Sequence, residues 1–555
     1  MVQFCLNANE LFEQPSDTRP IDSLILIGTK VGYEQHFDWA CNSMLEKILT
    51  GDTSDEEPQS KKQKTESSTQ ELLRNILSGL KPSLDAGTAA ECYFPRSNGN
   101  AAPLRVVLGV LPAVISRHNS PGQPYAVTSL LKKTIRYKDV TVVAPLCESK
   151  DHRFSVACAT ARFGGPFLYN RKTSSNGGGG GGGTVVTNKM DFKSTTLSQS
   201  IDAVKVVFPE PLDFITRETF ATLALGIQLS RNLVDQPANE LHTKAFMDQA
   251  LELTQEMEHV SSKVILGKEL EEKGYGGLYN VGMAGPHPPA LVVLSYEPPS
   301  SKGNKSITMV GKGIVFDTGG TQIKTKAGMP GMKRDMGGAA SVLASFLSLV
   351  RSGTVQSQPL HAILCLAENS VASHAMRPDD VICMHSGKTV EINNTDAEGR
   401  LVLSDGVSHA SHHLNPQVII DMATLTGAQG MATGKYFGAL YCNDEELEEV
   451  AVKAGKASGD LCHAMPYAPE FFRPEYSSAV ADMKNSVADR ANAQVSCAGQ
   501  FIGNHIDSYL ENGGKWVHID MAYCVFDKRD ERATGYGVGL LYSLVQSIES
   551  NMMTN

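Results

Sequence analysis

The sequence predicts a two-domain α/β protein, with an N-terminal α/β domain over residues 1–208 and a C-terminal mixed-sheet domain with helices on both faces over residues 209–555. Three observations predict it. The chain has 555 residues, beyond the size at which one hydrophobic core keeps growing. Its composition, 41% apolar and 20% charged, is that of a globular protein rather than a fibrous or disordered one. Short apolar runs alternate with stretches of helical spacing in both halves, the pattern of strands covered by crossover helices.

In the first half Ser23–Gly28, Leu104–Val110 and Val140–Ala144 read as strands, and Thr69–Leu80 as a helix, which together specify an α/β layer structure. Two polar segments interrupt them. Gly51–Glu71, and Lys172–Thr187 with seven consecutive glycines from Gly177, are too poor in apolar side chains to pack and are expected to be disordered surface insertions. The first contains Lys61-Lys62-Gln63-Lys64; such short basic clusters are common in solvated loops, and that reading is preferred to a nuclear address. From Asp213 to Leu233 the spacing is helical, and it stops at Asp235-Gln236-Pro237, because proline punctuates the boundary.

The second half repeats the alternation more plainly. Ser306–Val310, Leu360–Leu366, Thr389–Asn393, Val418–Met422 and Trp516–Asp520 are strand-like, with helices expected over Gly338–Val350 and Leu401–His412. In such sheets ligands gather beyond the carboxyl ends of the strands, and the polar motifs lie at those ends.

A net charge of −10 gives no general pull toward phosphate backbones, so nucleic acid is not expected as a ligand. The most apolar stretch, Val106–Ile115, contains Pro112 and falls short of the roughly 20 residues that span a bilayer. Met1–Glu13 lacks the basic start and apolar stretch of a secretory signal, which leads to the expectation of a cytoplasmic protein without a membrane segment. The 11 cysteines show no metal-ligand spacing and read as reduced packing residues.

Chemistry concentrates in three clusters. Val310-Gly-Lys312-Gly-Ile-Val-Phe-Asp317-Thr-Gly-Gly320 follows a strand, and its glycines are expected to let the backbone turn. Lys324 comes twelve residues after Lys312, and then Met332-Lys-Arg-Asp335-Met-Gly-Gly-Ala-Ala opens a helix, a position that favours a carboxylate. Asn394-Thr-Asp396-Ala-Glu398-Gly-Arg400 sits between a strand and a helix. Read singly, these are a glycine loop, an N-cap and a polar turn. Read together, four convergent carboxylates would repel unless a cation lay between them, and oxygen donors with few histidines suit Mg, Mn or a carboxylate-bridged Zn pair. Other motifs fail. Gly387-Lys388-Thr389 lacks the earlier phosphate-loop glycine, Ile382 standing there, and Gly535-Tyr-Gly-Val-Gly539 is half a dinucleotide fingerprint with Leu540 in the last glycine position. His409, His412 and His413 have no carboxylate or cysteine beside them in sequence to complete a ligand set, and are read as one side of an amphipathic helix.

The clusters GKGIVFDTGG, KRDMGGAA and NTDAEGR, with Ala423-Thr-Leu-Thr-Gly-Ala428, resemble the signatures of the leucyl (cytosol) aminopeptidase family over about Arg231–Leu541. Ala367-Glu-Asn-Ser and Val480–Arg490 are similar to its animal aminopeptidase-like branch. The resemblance implies a metallo-aminopeptidase that hydrolyses N-terminal residues from peptides, with two divalent ions, Zn or Mn, per chain. It implies that Asp317 and Glu398 bridge the ions, that Lys312 and Asp335 complete one site and that Asp396 completes the other. It gives Lys324 the stabilisation of the oxyanion and Arg400 a bound bicarbonate acting as general base, roles that suit cations placed where negative charge develops. Met332, Thr424 and Gly427 match positions lining the pocket for the N-terminal side chain, and Asn394 one on the leaving-group side. A homohexamer is implied as well. Gln322, Ala372–Ala375 and Tyr523-Cys524 depart from the family pattern. Two other readings remain at this point: a scaffold that kept the fold and lost turnover, which fold alone does not exclude, and a dipeptidase preferring Cys-Gly.

Overall fold

The computed structural model describes residues 2–13, 20–50, 63–97, 102–136, 139–163 and 204–553. Among these, one compact unit holds the residues up to 225 together with Ala457–Gly459, and a second holds Gly226–Lys456 and the residues from Asp460 onward.

The first unit is built on a six-stranded sheet. Its strands are β1 (Val2–Phe4), β2 (Ser23–Gly28), β3 (Thr88–Phe94), β4 (Leu104–Val110), β5 (Thr141–Leu146) and β6 (Val204–Val206), in the order β1-β6-β5-β2-β4-β3. All neighbours are parallel except β3 on β4. The largely apolar strands β2, β4 and β5 are buried along their whole length, Arg105 of β4 included, as parallel strands covered on both faces require. Strand β3 alternates between exposed and part-buried positions as an edge does. The segment expected as a first insertion is in part helical. A helix runs from Gln63 to Gly79 and buries Leu73; Leu72, Leu73, Ile76 and Leu77 give its second half the apolar spacing of a helix, and its first half is polar. Residues 51–62, and the whole of the second expected insertion at 172–187, lie outside the described residues.

The second unit contains the strands β7 (Val260–Leu266), β8 (Ala290–Tyr296), β9 (Ser306–Asp317), β10 (Leu360–Asn369), β11 (Val381–Cys383), β12 (Thr389–Glu391), β13 (Pro416–Ala423), β14 (Gly438–Cys442), β15 (Cys462–Ala464), β16 (Met483–Lys484) and β17 (Lys515–Asp520). Eight of them form a sheet in the order β15-β14-β17-β13-β9-β10-β8-β7. Its centre, β10-β9-β13-β17, is parallel and is flanked by antiparallel joins to β8 and β14, with β7 antiparallel and β15 parallel at the two edges. The sheet is therefore mixed, as expected. On one face Val310, Ile314, Ile363 and Cys365 pack with Leu401, Val402 and Val407 of the helix Glu398–His413. On the other the helix Gly337–Arg351 is covered in turn by Val538–Met553.

Two expectations are corrected. The strand expected over Ser306–Val310 continues to Asp317, so Lys312 stands within a strand rather than after it. Gly311 and Gly313 do not turn the chain here. They let the next helix approach, since a Cβ at Gly311 would stand 2.5 Å from Cα of Ala339. The strand expected over Thr389–Asn393 forms as β12 but joins a separate three-stranded sheet, β11-β12-β16. Only its central Val390 is buried, too little apolar surface to lie inside the main sheet.

Candidate functional site

Lys312 lies mid-strand in β9, 2% exposed, on the face covered by the helix Glu398–His413. Its Nζ donates to Oδ1 of Asp335 at 2.9 Å and to the carbonyl of Thr424 at 3.0 Å, and lies 3.0 Å from Oε1 of Glu398. Burial alone would lower its pKa, but the carboxylates of Asp335, Glu398 and Asp317 outweigh burial and raise it; a divalent cation among those carboxylates would reverse the balance, and the amine can coordinate only once it has lost its proton. Gly399 makes room for it, because a Cβ there would be 2.6 Å from Cε and Nζ of Lys312.

Asp317 ends β9. Its Oδ1 accepts from the backbone amide of Gly319 and from Nδ2 of Asn369, both at 2.8 Å, while Lys324 Nζ lies 2.5 Å from Oδ2. Gly319 and Gly320 follow with φ of +88° and +69°, a left-handed pair that turns the chain back toward Lys324. Lys324 pairs with Asp396 as well, and its pKa is raised by these carboxylates against the effect of burial. Asp335 follows the short helical turn Met332–Arg334 and accepts from Oγ1 of Thr424 at 2.9 Å. Burial raises its pKa, Lys312 opposes this, and Asp317 and Glu398 add to it.

The structure thus brings the five candidate ligands, Lys312, Asp317, Asp335, Asp396 and Glu398, together, and Lys324 with them. Asp317, Asp396 and Glu398 each present an oxygen within 4.8 Å of the other two. Burial raises the pKa of Glu398, as does the charge of Asp317, and burial raises that of Asp396. Oδ2 of Asp335 is buried, 2.8 Å from Nζ of Lys312 yet without a hydrogen bond. Crowded, partly dehydrated carboxylates of this kind fit a divalent cation.

Arg400 is 7% exposed, in the first turn of the helix that Glu398 begins. Nη1 donates to Tyr476 and to the carbonyl of Asn485, while Nε is buried without a partner. Thr424 is fixed by its bond to Asp335. Met332 is half-buried, and Gly427 is exposed with open space where a Cβ would point. Asn394 braces the acidic loop, its Oδ1 accepting from the amide of Asp396 at 3.0 Å.

Four residues to which the sequence assigned no role brace the site. Asn369, at the end of β10, donates to Asp317 and to the carbonyl of Thr395. Asn485 accepts from the amides of Asn393 and Asn394 and donates to the carbonyl of Asn394. Gln322 and Thr395 bond reciprocally, Gln322 N to Oγ1 at 2.9 Å and Thr395 N to Oε1 at 2.6 Å. The departure from the family pattern at Gln322 therefore ties the Lys324 loop to the Asp396 loop.

The catalytic-domain model of the cytosol aminopeptidase family matches residues 228–542. The chain belongs to the cytosol aminopeptidase family. A model described as M17 aminopeptidase N-terminal domain 2 also matches residues 25–175, so the likeness extends well before Arg231. Probable aminopeptidase NPEPL1 of Homo sapiens is 44% identical over 487 residues, covering 88% of this chain and 86% of that protein. Leucine aminopeptidase 1 of Caenorhabditis elegans is 50% identical over 326 residues, 58% of this chain and 64% of that one. Among solved structures, leucyl aminopeptidase of Trypanosoma brucei in complex with bestatin aligns with a TM-score of 0.80 at 34% identity, covering 98% of this chain and 95% of that one. As a cytosol aminopeptidase the protein is a metal-dependent exopeptidase, a hydrolase acting on the N-termini of peptides. No helix among the described residues is long and apolar enough to cross a membrane.

Proposed function

We propose that this aminopeptidase works with two divalent ions, Zn2+ or Mn2+, held by Lys312, Asp317, Asp335, Asp396 and Glu398. The observation that carries the reading is the convergence of Asp317, Asp396 and Glu398 oxygens within 4.8 Å, backed by the buried Asp335 and Lys312. Asp317 and Glu398 would serve both ions, Lys312 and Asp335 would complete the tightly held position, and the more exposed Asp396 would complete the exchangeable one. When bound, the ions supply Lewis acidity and lower the pKa of a water molecule enough to make it a nucleophile.

The remaining chemistry belongs to the chain. Lys324 carries a positive charge at the rim of the carboxylate cluster, suited to an oxyanion formed at the scissile carbonyl. Arg400, with a buried N–H left over, binds bicarbonate as the proton acceptor. Met332, Thr424 and Gly427 line the pocket for the N-terminal side chain, and Asn394 lies on the leaving-group side. Residues 1–208 form the N-terminal domain and 209–555 the catalytic domain of a cytoplasmic homohexamer. A metal-binding scaffold without turnover is disfavoured, since such a protein has no need of Lys324 and Arg400 beside the ligands.

The test is hydrolysis of a panel of aminoacyl amides and of Cys-Gly after reconstitution with Zn2+, Mn2+, Co2+ or Mg2+. Metal-dependent release of free amino acids supports the reading, and cleavage confined to Cys-Gly would replace it with the dipeptidase. Bound metal with no cleavage of any substrate would leave the scaffold.

A further inference from the structure

The last turn of the helix Glu398–His413 carries His409, His412 and His413, and the fold supplies the ligand that their local sequence lacks. His385 comes from the turn between β11 and β12. One ring nitrogen from each of His385, His409 and His413 lies within 4.8 Å of the other two. The ring centroids are 4.7 Å apart for His409 and His413, 5.5 Å for His385 and His413, and 6.1 Å for His385 and His409. His409 and His413 stand four residues apart on one helix face, the spacing by which two helical imidazoles share an ion.

From this geometry we propose that His385, His409 and His413 bind one borderline transition-metal ion of the Zn2+ or Cu2+ class. The site is distinct from the carboxylate cluster, since fifteen residues of helix separate Glu398 from His413, or roughly 22 Å at the helical rise. It is also chemically distinct, because the ligand set proposed for catalysis contains no histidine.

The surroundings prepare the rings for this task. The hydroxyl of Tyr275 is 2.6 Å from Nδ1 of His409, and Oγ of Ser408 is 2.8 Å from Nδ1 of His385. With each Nδ1 engaged, Nε2 is the coordinating nitrogen, and the partners fix ring orientation as they do around imidazole-bound metals. Tyr275 also stacks on His385, with centroids 4.3 Å apart. The backbone beneath is anchored too, as the His385 amide donates to Oδ1 of Asp405 at 2.9 Å. Burial and neighbouring imidazoles hold the pKa of His385 down at about 4 and that of His409 at about 3, so both are neutral and available to an ion at neutral pH. Lys263 adds an opposing positive charge near His409 and His413, but it is exposed, so water screens it.

Imidazole donors select Zn, Cu and Ni over Mg and Ca. At Zn–N distances of about 2.0–2.1 Å, tetrahedral ligand nitrogens stand roughly 3.4 Å apart. The exposed His413 closes the difference by rotating between staggered conformers. A bound ion then clips the β11–β12 turn to the end of the helix whose first turn carries Glu398 and Arg400.

Equilibrium dialysis of the untagged full chain against buffered Zn2+, followed by elemental analysis, tests the site beside the double variant His412→Ala, His413→Ala and the single variant His385→Ala. The wild type is expected to hold one more Zn2+ per chain than either variant, with aminoacyl-amide hydrolysis unchanged in the double variant. Loaded with Cu2+, the wild type is expected to show imidazole-nitrogen modulation in pulsed EPR that the double variant lacks. Equal Zn2+ content in wild type and both variants overturns the site, as does imidazole modulation that persists in the double variant.

Discussion

Asp335 and Lys324 belong to one site, yet they stand to fail differently when it is altered. Asp335→Asn removes charge from a buried ligand, so metal content should fall and activity should return in part at high metal concentration. Lys324→Met should leave metal content near wild type while kcat drops roughly 10²–10³-fold, the usual cost of losing one oxyanion-stabilising group. Elemental analysis beside steady-state kinetics separates the two, and a Lys324→Met enzyme with near-normal kcat would end the mechanistic assignment. Gly399→Ala adds a single methyl group at a point 2.6 Å from Lys312. With the lysine head fixed by Asp335 and Thr424 it cannot swing away freely, so a loss of about 1–3 kcal/mol is expected from overpacking, measured by denaturant unfolding, together with reduced metal content. Asp335 and Gly399 could be read in the sequence because each lies in a short motif beside glycines, whereas the role of Lys324 followed from the resemblance alone. Asn369, Asn485 and His385 could not, because their partners are distant along the chain: 52 residues separate Asn369 from Asp317, and 91 separate Asn485 from Asn394.

Among elements, the helix Glu398–His413 is the most consequential. Its first turn presents Glu398 and Arg400, its middle packs on β9 and β10, and its last turn carries the histidine cluster. Its existence was legible from the apolar spacing of Leu401, Val402, Leu403 and Val407; its true start at Glu398 was not, since the two polar residues Glu398 and Arg400 look like loop. The glycines of β9 misled for a related reason. Gly signals a turn only when the backbone needs it, and at Gly311 the requirement is room for Ala339. Burial of histidines in this unit also sets a pH response. Desolvation lowers the pKa of His361 and His385 from 6.5 to about 4, and of His409 and His505 to about 3. At these four histidines the unfolded chain binds more protons than the folded one between those values and 6.5, so their contribution to stability rises with pH across that window and is lost as pH falls from about 6.5 toward 4. Buried carboxyls oppose it, Asp405 with its pKa raised to about 7 and Asp335 to about 8, and burial raises those of Asp396, Glu398 and Asp520 as well, so the histidine share is read by difference. Going from pH 7 to pH 5 should lower the urea midpoint of the wild type relative to that of a His361→Gln, His505→Gln variant, and an equal change in both would refute it.

For the whole molecule, the two-domain α/β organisation followed from length and alternation, whereas strand order did not, because nothing local records which strands become neighbours. The proposed hexamer is a prediction at this scale: light scattering at working concentration should give six times the chain mass, and a monomer would refute it. Strand order has a further consequence, for biosynthesis. β14 and β15 reach the sheet only through β17, which inserts between β14 and β13 although it is made last, at Lys515–Asp520. A ribosome adding about 5–20 residues per second therefore exposes one bare edge of β13 for several seconds, until β17 emerges. An unpaired apolar edge of that kind recruits other chains, so nascent chains arrested between residues 465 and 514 are the ones with most need of a chaperone.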